Sequence, residues 1–170
     1  MTITLAEARE EWFRRTIMEE GGHCPCCDRW GKQYRRGINK TMAYNIGWLA
    51  GMGSPGGEWI DVPRRGPRFV VASNQLPTMR WWDLCERNDS TAEEEDKKHS
   101  GFWRITELGA LWAANRVRVP KYVWTYDGEV KHIEGPNILI SEVIENFSFT
   151  EIMNTHRLQP RRNDDSPPTS

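Results

Sequence analysis

The residues best suited to chemistry in this 170-residue chain are three cysteines gathered in the segment HCPCCDRW. Cys24 and Cys27 have the CxxC spacing of half a zinc site, in which a tight turn directs two thiolates at one metal ion. His23 and Cys26 are further candidates in the same turn. We therefore predict a Zn²⁺ site with His23, Cys24 and Cys27 as ligands and Cys26 as the alternate ligand.

The sequence leaves the rest of this metal site open. A structural zinc ion normally has four ligands, whereas the remaining chain offers only the isolated residues Cys85, His99, His132 and His156. Cys85 stands in an apolar run and is expected to be buried as a small hydrophobic residue. The alternative to a metal site is a turn of buried thiols that packs the two N-terminal helices together. A redox role is less favoured, because the thioredoxin-type CxxC motif belongs to a βαβ unit and no such unit precedes these cysteines.

Basic residues alternate with aromatic residues around and after the cysteines. This pattern suits contact with a nucleic-acid backbone combined with stacking on the aromatic rings. A second basic segment, PRRGPR, follows later in the chain. The candidate nucleic-acid contacts in the two segments are Arg29, Lys32, Tyr34, Arg35, Arg36, Lys40, Arg64, Arg65 and Arg68. A solvated, non-binding face is the alternative interpretation of each run.

Composition excludes several classes of protein. The formal net charge of -1 and a pI near 6.4 argue against a nucleic-acid coat protein, so DNA binding would need a local basic patch. No apolar run approaches the ~20 residues of a membrane span, and the acidic, amphipathic start MTITLAEAREEW differs from a signal peptide. Adjacent cysteines form disulfides poorly, so we expect a reducing, cytoplasmic location.

Motifs of catalysis are missing from the sequence. It contains no GxSxG, HExxH, P-loop or GxGxxG, and its four histidines are scattered among unrelated segments. The sequence therefore predicts a binding protein and not an enzyme.

The N-terminal half is predicted to alternate helices with short strands. Thr4 and Glu7 form a capping box for a helix over 4–20, and Asn39 can cap a second amphipathic helix. Extended segments are expected at 58–62 and 69–72, followed by a short helix from Ser73 or Asn74 to about Trp82.

The C-terminal half is predicted to contain two hairpins. Strands at 81–85 and 102–105 enclose a charged loop over 86–100, and a helix begins at Thr106. Strands at 117–124 and 130–133 flank Asp127-Gly128, which favours a type I′ turn. Short helices at 141–146 and 150–156 precede a tail with the composition of disorder.

The segments WWDLCE, a polar loop and SGFWRITELGALWA, in that order after a helix, a strand and a short helix, resemble the winged-helix proteins. With the cysteine-rich segment, the arrangement resembles small phage-encoded proteins that join a cysteine knuckle to a winged-helix-like segment. The resemblance implies a recognition helix over 74–81 that presents Asn74, Gln75, Thr78 and Arg80 to DNA, and a wing over 87–100. The four acidic residues at 93–96 are unfavourable in a DNA-binding wing, because they would repel the phosphates.

The expected fold is α+β, a winged-helix-like domain with additions at both ends. Its parts are an N-terminal helix (1–22), a cysteine/basic knuckle (23–37), a winged-helix-like domain (38–116), a C-terminal hairpin with short helices (117–158) and a disordered tail (159–170). The first functional hypothesis is a phage-type DNA-binding or regulatory protein. The second is a module that binds or inhibits a host protein, since Trp and Tyr are favoured at interfaces. Residues 4–20 and 141–156 are candidate homodimer surfaces, or they dock onto the same chain.

Overall fold

The computed structural model describes residues 2–18, 20–88, 101–146, 148 and 150–151. Helices and strands are mixed, which confirms the α+β class. The helices are α1 (Leu5–Met18), α2 (Lys40–Met52), α3 (Val62–Arg65), α4 (Arg68–Ser73), α5 (Leu76–Met79) and α6 (Glu107–Ala113). The strands are β1 (Gly22–His23), β2 (Trp30–Gly31), β3 (Tyr34–Gly37), β4 (Ile60–Asp61), β5 (Cys85–Arg87), β6 (Phe102–Ile105), β7 (Val119–Tyr126) and β8 (Glu129–Ile138).

The chain divides into two compact units. Described residues of 1–37 and 121–136 form the first unit, and those of 38–120 and 137–170 form the second. In the first unit, β3, β7 and β8 form a sheet in the order β3-β7-β8, with Tyr34 opposite Thr125 and Gly37 opposite Tyr122. Helix α1 contributes Trp12 and Phe13, whose rings meet Tyr126 edge-on at 5.4 and 5.5 Å.

The core of the second unit is built around α2. Asn39 caps this helix by accepting a hydrogen bond from the Met42 amide, and its central residues are almost all buried. Trp48 and Trp112 are fully buried, and the Trp112 indole donates to the Ile138 carbonyl at 3.1 Å. Large aromatic side chains thus supply much of the apolar area that stabilises this unit.

A three-stranded antiparallel sheet with the order β4-β6-β5 lies beside these helices. On one side of the central strand β6, Trp103 pairs with Ile60 of β4, and on its other side Ile105 pairs with Cys85 of β5. Helix α6 follows directly, capped by the Thr106 hydroxyl, which accepts from the Gly109 amide at 3.0 Å. In this sheet the first strand in sequence, β4, therefore pairs with the last, β6, and the strand between them in sequence, β5, lies at an edge.

Two predicted strands are wrong. Residues 69–72 lie within α4, which is flanked by Pro67 as its N-cap and by a left-handed Asn74 as its C-cap. The helical conformation buries Val70 and leaves the adjacent Val71 exposed. The strand predicted at 81–85 begins at Cys85 instead. A 3-10 turn over Arg80–Trp82 ends at Asp83 in the left-handed conformation, and this change of direction delays the strand.

Other predicted elements are present with shifted ends, and some predicted segments lie outside the described residues. The N-terminal helix and the second hairpin are confirmed, and positive φ angles at Asp127 and Gly128 (51° and 75°) fit the predicted type I′ turn. The helix predicted at 141–146 is a 3-10 turn over Ile140–Glu142. Most of the predicted wing (89–100), of the helix at 150–156 and the whole tail lie outside the described residues.

Candidate functional site

The cysteines occupy the tip of the small β1-β2 hairpin in the first unit. His23 pairs with Trp30, and the Cys24 amide donates to the Arg29 carbonyl at 2.8 Å. The Asp28 amide donates back to the Cys24 carbonyl at 2.9 Å, with Asp28 itself at a φ of 59°. We call residues 24–28 the cysteine turn. Its compact hydrogen bonding presents the thiols on one short loop.

The three thiols of the cysteine turn differ in their chemistry. All are free; Cys24 is half-buried, whereas Cys26 and Cys27 are exposed. Backbone amides of Cys26 and Cys27 donate to the Cys24 sulfur and lower its pKa. Desolvation, and then the neighbouring Cys24 charge, raise the pKa of the Cys26 thiol. The lowered pKa favours the thiolate form of Cys24, and the thiolate is the form that binds metals.

His23 is oriented by the same turn. Its Nδ1 lies 2.9 Å from the Asp28 carbonyl, and a hydrogen on Nδ1 leaves the Nε2 lone pair free. Its ring meets Trp30 edge-on at 5.1 Å. Within the described ranges, however, no three His, Cys, Asp or Glu side chains are grouped so that they could hold a metal ion. The Cys24 side chain contacts the thiols of both Cys26 and Cys27.

Strand β3 (Tyr34–Gly37) follows the cysteine turn, and we call it the basic strand. Arg35 and Arg36 lie on β3 at the edge of the sheet, a strand that the sequence analysis does not predict. The Arg35 guanidinium stacks 3.8 Å from the Tyr122 ring centroid and lies 3.6 Å from Glu134. Arg36 lies 5.4 Å from the centroid of the exposed Tyr34 ring, and Lys32 lies 6.0 Å from the same centroid. The basic strand thus presents fixed cations beside aromatic rings.

Strand β7 contributes two aromatic residues to this surface that are not among the residues predicted from the sequence. Tyr122 and Trp124 are half-buried beside β3, and the Trp124 indole donates to Glu134 at 2.7 Å. Lys121 adds a further cation 5.3 Å from the Tyr122 ring centroid. The signal that could have found them is the alternation in VPKYVWTY, where Val119, Val123 and Thr125 are buried and the aromatic residues between them are not.

The other basic candidates lie in the second unit. Residues 62–65 form α3 and not a loop, and Asp61 caps it by accepting from the Arg64 amide. Arg65 pairs with Glu58 at 2.9 Å. Arg68 and Lys40 are the exposed first residues of α4 and α2. In the first unit, Arg29 is exposed at the end of the cysteine turn.

The predicted base-reading residues lie around the start of α5. Asn74 ends α4, and the Gln75 side-chain amide donates to the Ser73 carbonyl at 2.9 Å, so both precede the helix that was expected to carry them. Thr78 lies within α5, and Arg80 is exposed at its end. Only Thr78 of the four predicted residues is therefore inside this short helix.

Cys85 is buried as expected, since its side chain is 1% exposed and its sulfur contacts the Leu76 carbonyl at 3.3 Å. Burial raises the pKa of this thiol far above its ordinary value, so Cys85 stays protonated and is unsuited to bind metal. No helix in the described ranges is long and apolar enough to cross a membrane.

No protein-family model, curated protein or solved structure matches the chain.

Proposed function

We propose that this is a DNA-binding regulatory protein of the phage type, in which the second unit is a winged-helix domain and the basic strand of the first unit contacts phosphates. The observation that carries the proposal is the element order of the second unit, α2-β4-α3-α4-α5-β5-β6, with the antiparallel sheet order β4-β6-β5. This order supports a winged helix because a helical segment leads directly into the two strands that would flank a wing.

The basic strand supports the phosphate-binding part of the proposal. Arginine binds phosphate through two parallel N–H groups, and less entropy is lost when its guanidinium is already held in place. Arg35 is held between Tyr122 and Glu134, and Arg36 lies against Tyr34, with both arginines exposed to solvent. Their charges are local, which agrees with a chain whose formal net charge is only -1.

The test compares duplex DNA binding of the full chain with that of Arg35→Ala/Arg36→Ala at low salt, by fluorescence anisotropy. We expect affinity to fall roughly tenfold for each arginine, since a hydrogen bond to a charged group contributes about 1.5 kcal/mol or more. Arg14→Ala/Arg15→Ala is the matched control, because it removes an adjacent exposed pair from α1 of the same unit. Equal weakening by the two double variants would refute a specific role of the basic strand.

A second candidate function is binding of a host protein, favoured by apolar side chains exposed on the N-terminal segment. Ile3 is 56% and Leu5 is 71% exposed, and Leu5 lies in a shallow groove with Phe13. Single exposed apolar residues are common, but neighbouring ones are typical of interaction sites. Capture of a host protein that survives high salt and nuclease, and is lost in Leu5→Asp, would favour this function over DNA binding.

A further inference from the structure

The cysteine turn provides two cysteines with the spacing of a metal-binding pair, whereas a structural zinc ion normally has four ligands. Cys24 and Cys27 are separated by two residues, the spacing with which one turn directs two sulfurs at a single ion. The turn is closed by the paired hydrogen bonds of Cys24 with Arg29 and Asp28, so these sulfurs start from a short, ordered loop. Half of a tetrahedral site is therefore present in one chain.

The described part of the chain does not complete this half-site. Among the described residues, no three His, Cys, Asp or Glu side chains are grouped so that they could hold a metal ion, and Cys85 is buried and protonated within the other unit. Cys26, the remaining thiol of the turn, therefore does not complete a three-ligand group with Cys24 and Cys27. The missing ligands must come from elsewhere.

The position of the turn allows a second copy to supply them. Cys26 and Cys27 are exposed, and the Asp28 side chain is 95% exposed, so the tip of the hairpin is open to approach. Two copies related by a two-fold axis present the same surface to each other, and two CxxC turns then give a four-thiolate site, which is a common structural zinc site.

We propose that one Zn²⁺ ion joins two copies of this chain, bound by Cys24 and Cys27 of each copy. The ion makes dimerisation depend on metal, because the described part of each copy offers only these two ligands. This inference concerns assembly and does not rest on DNA binding, so the experiment below tests it without nucleic acid.

The experiment titrates Zn²⁺ into the reduced, metal-free full chain and follows its mass by light scattering after size-exclusion chromatography. We expect a monomer without metal, a dimer that forms at one Zn²⁺ per two chains, and return to monomer on chelation. Cys24→Ser/Cys27→Ser should stay monomeric at the same Zn²⁺ concentration. Cys26→Ser is the matched control and should dimerise like the unaltered chain.

A Co²⁺ titration of the unaltered chain keeps the proposal testable if the double variant does not fold. Thiolate-to-cobalt absorption should saturate at half an equivalent of Co²⁺, with the intensity of a tetrahedral four-thiolate site. Saturation at one equivalent in a monomer would place the remaining ligands in the same chain and overturn the proposal. A dimer that persists in chelator, a disulfide-linked dimer or the absence of metal binding would overturn it equally.

Discussion

Asparagine and aspartate residues in the left-handed conformation end a helix and two turns of this protein. Asp28 closes the cysteine turn, Asn74 ends α4, and Asp83 ends the 3-10 turn before β5, all with positive φ angles. These two residue types tolerate the left-handed region better than other non-glycine residues. Their sequence signal is weak, because most aspartates and asparagines lie in ordinary conformations. The sharp turns that shift β5 and end α4 were therefore not predictable from the sequence.

The capping box of α1 should make the start of this helix sensitive to acid. The Thr4 amide and hydroxyl donate to the Glu7 carboxylate at 2.8 and 2.7 Å, and these bonds lower the Glu7 pKa below its usual 4.5. Because the pKa is lower in the folded state, the stabilisation is present above the unfolded pKa and is lost as pH falls through the folded pKa. We expect the Thr4 amide NMR signal to titrate in that acidic range.

Glu7→Gln should abolish that titration while it retains a weaker cap, and Glu10→Gln on the same helix is the control that should preserve it. A Thr4 amide that titrates identically in Glu7→Gln would contradict this account of the helix start.

Gly109 permits the close approach of α6 to the chain before β5. A Cβ atom at this position would overlap the Leu84 carbonyl oxygen and lie 2.8 Å from Ile105. We expect Gly109→Ala to lower the free energy of unfolding by about 1–3 kcal/mol through overpacking, although alanine favours helices. Urea denaturation measures the change. Gly53→Ala is the control, because its nearest neighbour lies at 3.5 Å; an equal loss there would show that the contact with Leu84 is not the cause.

Elements with strong periodicity or clear caps were predictable, whereas those defined by long-range pairing were not. The sequence itself marks three helix starts, at Thr4 with Glu7, at Asn39 and at Thr106. It also marks the hairpin turn at Asp127-Gly128. By contrast, β3 exists because Tyr34–Gly37 pairs with residues 122–125 of β7, which lie far along the chain. The basic strand and its aromatic neighbours Tyr122 and Trp124 therefore became one surface only in the folded structure.

Thr106, the residue between β6 and α6, makes two hydrogen bonds through its side chain, one within α6 and one to the chain before β5. Its hydroxyl oxygen accepts from the Gly109 amide at 3.0 Å, and its hydroxyl donates to the Asp83 carbonyl at 2.6 Å. We expect Thr106→Ala to destabilise the fold by about 1–2 kcal/mol, since it removes a helix cap and a second bond. Thr106→Ser keeps the hydroxyl and should restore most of the loss in chemical denaturation. A serine variant as unstable as the alanine variant would point to the methyl group instead.

Positive and negative charges nearly cancel over the whole chain, but four cations are clustered in one part of it. The formal net charge is -1, yet Arg35, Arg36, Lys32 and Lys121 gather around β3 and β7 of one unit. Affinity for a polyanion that depends on such a patch comes from the release of counterions and must weaken as salt is added. A protein partner recognised through apolar side chains has no such requirement.

The most direct measurement is the affinity of the full chain for random duplex DNA over a series of salt concentrations. If the four cations around the basic strand contact phosphates, log K should fall with log salt at a slope of about -3 to -4, at roughly -0.9 per contact. Arg35→Ala/Arg36→Ala should reduce the steepness by about two. Absence of binding at low salt, or a slope near zero, would contradict the proposed function and leave the host-protein candidate.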